Sequence, residues 1–164
     1  MNRFKKVMLI YGGISSEREI SIISSEAIND SLTRNNYEVI KIDADENLEF
    51  EIKKYNPDII FNALHGTWGE DGKVQKIIEF TNVPYTNSGI KASELAMDKH
   101  LSSEIFTKIN LKYPNTILSN LKTIKNKALM DYPYVLKPRN EGSSVGVGII
   151  KNEQDKIKYL EKNK

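Results

Sequence analysis

The stretch Val7-Met-Leu-Ile-Tyr-Gly-Gly-Ile-Ser-Ser-Glu-Arg-Glu19 decides the class of fold. An unbroken apolar run of this length suits a strand buried on both faces. Gly12-Gly13 supplies the tight turn at its end. Ser16 and Glu19 have capping-box spacing, with Ser16 as N-cap and Glu19 reaching back. Ile20, Ile23 and Ala27 then recur at helical spacing, and Ile28 and Leu32 widen the stripe that should face a core. Strand, glycine turn and helix together are the opening of a βαβ unit.

The same alternation continues outward. A second strand is expected over residues 37–42, a short helix over 48–55 ending before Pro57, and a third strand over 58–64. The loop His65-Gly-Thr-Trp-Gly-Glu-Asp-Gly72 leads to a helix near 74–80 and a short strand at Val83-Pro-Tyr85. Strands and helices in turn predict an open, doubly wound parallel sheet, with functional loops beyond the carboxyl ends of its strands. Gly12-Gly13 and His65-Gly66 fall at such ends. From Asn87-Ser88-Gly89 the pattern changes to helical residues over 92–109, a strand near 115–118 and a lysine-rich helical or turn segment. Two apolar runs, 134–136 and 147–150, then flank a Gly/Ser loop, and a helix is expected over 153–164. The domain boundary is placed near residue 90, giving domains 1–90 and 91–164.

Composition excludes several function classes. The 164 residues are 39% hydrophobic and 28% charged with a net charge of +2, so no strong field favours nucleic acid or a membrane surface. The chain has no cysteine, which removes disulfides and thiolate chemistry and fits a reducing, cytoplasmic setting. The basic start followed by Val7-Met-Leu-Ile10 is too short in its apolar part for a signal peptide. No apolar run approaches the ~20 residues that span a bilayer. No nucleic acid and no membrane are therefore expected as partners.

Four groups of residues carry candidate chemistry. Glu17 lies at the start of the first helix, where a carboxylate either complements the helix dipole or holds an ammonium group. His65 opens a loop with three glycines in eight residues, a closely packed arrangement at the functional edge of the sheet. Asp98 suits an N-cap; Lys99 beside it is unfavourable for the dipole unless it has another task, such as meeting polyphosphate together with Lys137. Lys137-Pro-Arg-Asn-Glu-Gly-Ser-Ser-Val-Gly146 reads either as a flexible hairpin turn or as a mobile flap over an anion. Its spacing is not that of the P-loop, and Gly12-Gly13 does not match the dinucleotide fingerprint.

Three motifs in this order, Gly12 to Ser21, Leu64 to Gly72 and Lys137 to Gly146, resemble those of the D-alanine–D-alanine ligases. Pro84-Tyr-Thr-Asn-Ser-Gly89 and Ala96-Met-Asp-Lys99 sit between them as they do in that family. The resemblance runs through almost the whole chain. It implies a pre-ATP-grasp domain followed by the first α+β lobe of an ATP-grasp domain, and a carboxylate–amine ligase joining two D-alanines for peptidoglycan. It also implies ATP and Mg2+ as cofactors and a homodimer formed through the first domain. Carried over by position, Glu17 holds the ammonium of the first D-alanine, His65 lies at the amino-acid pocket and Ser143 links to Glu17 and positions substrates. Ser143, Ser144 and Val145 cover the phosphates, which Lys99 and Lys137 bind.

The resemblance also has departures. Lys76 stands where the family usually has glycine, and residues 110–132 match loosely. At Lys164 the chain has about half the length of such ligases, short of the second ATP-grasp half, the magnesium ligands and a transition-state arginine. The expectation is little ligase activity from this chain alone, a missing C-terminal lobe being its partner. Alternatives are a non-catalytic dimerisation or ligand-binding module, and a relative using D-lactate as second substrate.

Overall fold

The computed structural model describes residues 5–163, so the basic start and the expected helical end at Lys164 lie outside the described residues. The chain divides into two compact units, Met1–Ala96 and Met97–Lys164. The helix Ile90–Met97 groups largely with the first of them, against a boundary expected near residue 90. Gly89 O accepts from Ser93 N at 3.0 Å and Ser88 O from Ser93 Oγ at 3.2 Å, which ties that helix to the preceding turn.

In the first unit, β1 (Lys6–Tyr11), α1 (Arg18–Arg34), β2 (Glu38–Asp43), α2 (Leu48–Tyr55), β3 (Ile59–Asn62), α3 (Lys73–Glu79) and α4 (Ile90–Met97) follow in turn. The sheet is parallel in the order β2-β1-β3, with Val7 opposite both Val39 and Ile59. β1 is the central strand, and its four middle residues are buried. Met8 and Ile10 join Leu48, Ile52, Val74 and Ile78 in the core beneath α2 and α3. Val7 and Leu9 point to the opposite face, where α1 lies against β1 and β2. Helices on both faces make the sheet doubly wound. The expected strand at 83–85 is reduced to one parallel bridge, Ile60 to Tyr85.

Two local expectations for α1 are overturned. Ser16 is exposed and caps nothing; the N-cap is Glu17, without a side-chain cap bond. The serine at work there is Ser15, whose hydroxyl accepts from Glu17 N at 3.1 Å. The predicted apolar stripe is overturned in part: Ile20 is 53% and Ile23 67% exposed and Ala27 is exposed, whereas Ile28 and Leu32 are half-buried. Ser21 and Ser25 are buried instead. Ser21 Oγ accepts from Gly12 N at 2.8 Å and donates to Ala63 O at 2.7 Å, binding α1 to the ends of β1 and β3. These are backbone groups the sheet itself leaves unpaired, and a hydroxyl satisfies one of each kind.

The second unit holds α5 (Lys99–Lys108), α6 (Leu121–Asn126), β4 (Tyr134–Leu136), β5 (Gly148–Ile150) and α7 (Glu153–Lys162). The expected helix over 92–109 is broken at Asp98, which ends α4's run and caps α5. Residues 111–120 are irregular, with no strand near 115–118. β4 and β5 pair antiparallel, Tyr134 opposite Ile150, and α7 packs on β5. Asp98, Asn120 and Asn152 start their three helices with side-chain acceptors, the preferred N-cap chemistry. The core is small: Ile124 and Ile150 are buried, whereas Val135 and its cross-strand neighbour Ile149 are exposed.

Candidate functional site

In the first unit the carboxyl ends of β1 and β3 lie side by side. α1 leaves toward one face of the sheet and α3 toward the other, so a crevice opens where the strand order reverses. Gly12 and Gly13 line its floor with φ of +72° and +76°. A Cβ at Gly12 would stand 2.2 Å from Asp43 Oδ1, and one at Gly13 2.8 Å from a Leu64 methyl. Glycine is needed at both positions for conformation and for space. Arg18 bridges this turn to β2, donating from Nη1 to Gly13 O at 3.1 Å and to Asp43 Oδ1 at 2.6 Å.

Glu17 is 7% exposed, and a Cβ on Gly66 would lie 2.7 Å from its Oε1. The carboxylate therefore rests on the backbone of the His65-Gly66 loop, and the structure brings these two predicted elements together. Ser15 Oγ donates to His65 O at 2.7 Å, and Ser24 Oγ stands 3.2 Å from His65 Nε2. The loop is braced from below. Asn62 Nδ2 and Gln75 Nε2 both donate to Gly69 O, at 3.0 and 2.9 Å, and Asn62 Oδ1 accepts from Leu64 N at 3.0 Å. Gly66 N donates to Glu70 Oε2 at 2.7 Å. Ser15, Ser24 and Asn62 were not legible as supports, because serine and asparagine in a loop or on a helix carry no periodic signal.

The second unit carries Lys99, Lys137, Ser143, Ser144 and Val145. Lys99 lies in the first turn of α5, and its ammonium donates to Glu141 O and, at 3.4 Å, to Arg139 O. Burial, and then the charge of Lys137, hold the Lys99 pKa below the usual lysine value. The two cations thus feel each other, as a polyphosphate site requires. Both line a cavity of about 280 Å³ with Arg139, Leu118, Met130 and Tyr134. Apolar side chains beside two cations make a chemistry suited to an aromatic base carrying phosphates.

The flap is a tight, strained turn. Ser143 and Ser144 have φ of +44° and +64°, uncommon for residues with a Cβ, and Gly146 has +66°. Val145 N donates to Gly142 O at 2.9 Å within the turn. Tyr159 holds the flap's far end, its hydroxyl donating to Gly146 O at 2.7 Å while its ring fills the place a Cβ on Gly148 would take. Ser143, Ser144 and Val145 are exposed. The expected bond between Ser143 and Glu17 joins residues of different units.

The family described as "D-ala D-ala ligase N-terminus" matches residues 6–56 and 44–88. The chain belongs to the D-alanine–D-alanine ligase family. A D-alanine–D-alanine ligase of Wolbachia pipientis wMel is 44% identical over 156 residues, covering 94% of this chain and 49% of that protein. The solved D-alanine–D-alanine ligase of Bacillus anthracis superposes with a TM-score of 0.79 at 33% identity, over 96% of this chain and 53% of that one. The same enzyme complexed with ATP gives 0.78 at 31%, over 98% and 53%. The chain spans about half the length of the curated relatives it matches. The family match covers the crevice with Glu17 and His65, and the ligase relatives extend the likeness through the flap.

Among the described residues, no group of three or more His, Asp or Glu side chains stands where it could hold a metal ion. No helix among these residues is long and apolar enough to cross a membrane.

Proposed function

We propose that this chain supplies the first-substrate pocket and part of the phosphate site of an ATP-dependent ligase that forms D-alanyl-D-alanine for peptidoglycan. The observation that carries the reading is the buried Glu17 carboxylate set against Gly66 in the crevice between β1 and β3. A buried carboxylate on a braced backbone suits an ammonium group, because a charge-assisted bond there is not weakened by water. Glu17 accepts from the ammonium of the first D-alanine, and the His65 loop walls the pocket.

The γ-phosphoryl group of ATP passes to the carboxylate oxygen of that D-alanine, and ADP leaves. Lys99 and Lys137 offset the negative charge on the phosphates during transfer. The amine of the second D-alanine attacks the acyl carbon, loses a proton, and phosphate departs from the tetrahedral intermediate. Ser143 positions the substrates through Glu17, while Ser144 and Val145 close over the phosphates. Magnesium, which the family's chemistry implies, would neutralise phosphate charge from ligands other than those described. The reaction belongs in the cytoplasm, a setting supported by the absence of cysteine. Pairing of two copies through the first unit is supported by the exposed isoleucines of α1.

The test is calorimetric titration with D-alanine and with ATP, alongside chromatography for ADP and D-alanyl-D-alanine. Saturable binding of D-alanine that Glu17→Gln weakens about 100-fold is the expected result. Failure to bind D-alanine at millimolar concentration, with the fold intact by circular dichroism, overturns the reading.

A further inference from the structure

Asp98 is engaged on two sides. Its Oδ1 accepts from the N–H groups of His100 and Leu101, at 3.0 and 3.1 Å, and so caps α5. Its Oδ2 accepts from Arg139 Nε at 2.7 Å and Nη2 at 2.6 Å. The Arg139 bond is the main cause that brings the Asp98 pKa down to about 2, so the pair is charged at neutral pH.

Residue 139 returns the grip through its backbone. Arg139 O accepts from Lys99 N at 3.1 Å and from Lys99 Nζ at 3.4 Å, and Glu141 O accepts from the same ammonium. Lys99 thus sits between a side-chain tie at Asp98 and a carbonyl cup formed by residues 139 and 141. The cup answers a physical difficulty. A lysine in the first turn of a helix opposes the dipole, and Lys137 repels it further. Two carbonyl dipoles aimed at the ammonium offset both effects and keep it from swinging into solvent.

We infer that Asp98 and Arg139 are a positioning pair for Lys99, holding the 139–141 backbone where its carbonyls seat the Lys99 ammonium in the wall of the cavity. This rests on the reading that Lys99 meets the phosphates of ATP. An ammonium has three N–H donors. With two on the cup, the third is aimed consistently at an anion, which is the value of seating it in advance.

Asp98→Asn separates the two duties of Asp98. The amide keeps an oxygen for the cap, because Asn serves as well as Asp there, but it loses the charge that holds Arg139. Backbone hydrogen exchange by NMR and calorimetric binding of ATP without metal are measured on the 164-residue chain. The His100 and Leu101 amides keep their protection, the Lys99 amide exchanges about tenfold faster, and ATP binds about tenfold more weakly, the loss typical of one charge-assisted bond. D98N/R139Q, which faces one amide with another, recovers part of both losses. Unchanged Lys99 exchange and unchanged ATP affinity overturn the inference. Equal loss of protection at residues 99, 100 and 101 also overturns it, since Asp98 would then be a cap only. Release of the Lys99 amide in a chain whose wild type binds no ATP upholds the pair and sinks the phosphate reading instead. Should D98N not fold, Arg139→Lys is read in the same way, because it keeps the charge and removes the fork.

Discussion

The surroundings of Glu17 and His65 in the first unit and the Ser143-Ser144 turn of the second are held by different means. Around Glu17 and His65, buried side chains reach the backbone from several elements: Ser21 from α1, Asn62 from β3 and Gln75 from α3. Around Ser143 and Ser144 the turn is exposed, strained at two φ angles, and held at its far end by the single hydroxyl of Tyr159. The first arrangement is fixed by buried hydrogen bonds to backbone groups. The second stands in a backbone conformation uncommon for residues with a Cβ.

The comparison breaks most sharply at Glu17. Glu17→Gln keeps shape and hydrogen bonding but removes the charge, and D-alanine affinity should fall about 100-fold in calorimetry with the fold unchanged. Ser21→Ala leaves Gly12 N and Ala63 O without their shared partner. Urea unfolding followed by circular dichroism should show a loss of about 1–3 kcal/mol. Gly66→Ala imposes a Cβ 2.7 Å from Glu17 at a φ of +71°, and about 1–2 kcal/mol of stability should go, with weakened D-alanine binding.

Acid titration sharpens the contrast from the other side. Asp98 has a folded pKa of about 2 against an ordinary value near 3.8, so its contribution is full above about pH 4 and is lost as pH falls toward 2. Protection of the α5 amides, taken relative to the intrinsic exchange rate at each pH, should fall across that window, and Arg139→Gln should flatten the dependence. The smallest effect on stability belongs to Ile23→Asp on the exposed face of α1. It should alter unfolding by less than about 0.5 kcal/mol, yet sedimentation should show weaker self-association if that face pairs with a second copy.

Much of this was legible before any coordinates. The strands at 7–11 and within 58–64 follow from short apolar runs, and the helices between them from the 3.6-residue period and their stop signals. Gly12 and Gly13 announced a tight turn and Gly66 a closely packed loop at the strand ends, and the order of Glu17, His65, Lys99 and Ser143 carried the family. The strand expected near 115–118 did not form, because Asn115-Thr-Ile-Leu118 lacks strand alternation and lies in an exposed segment.

By itself, then, the sequence determined which segments are strands and helices, where the backbone must turn, and which chemistry is present. Tertiary structure alone decided which face of α1 is buried. Periodicity locates a stripe but not the side the sheet will take, and Ser21 took it because its hydroxyl satisfies backbone groups of β1 and β3 that isoleucine would leave unpaired, with Ser25 buried one turn further on. Tertiary structure also decided the pairings of Ser15 with His65 and of Asp98 with Arg139, 50 and 41 residues apart. Such bonds depend on where two distant segments are brought by the packing of everything between them, and no local pattern encodes that distance.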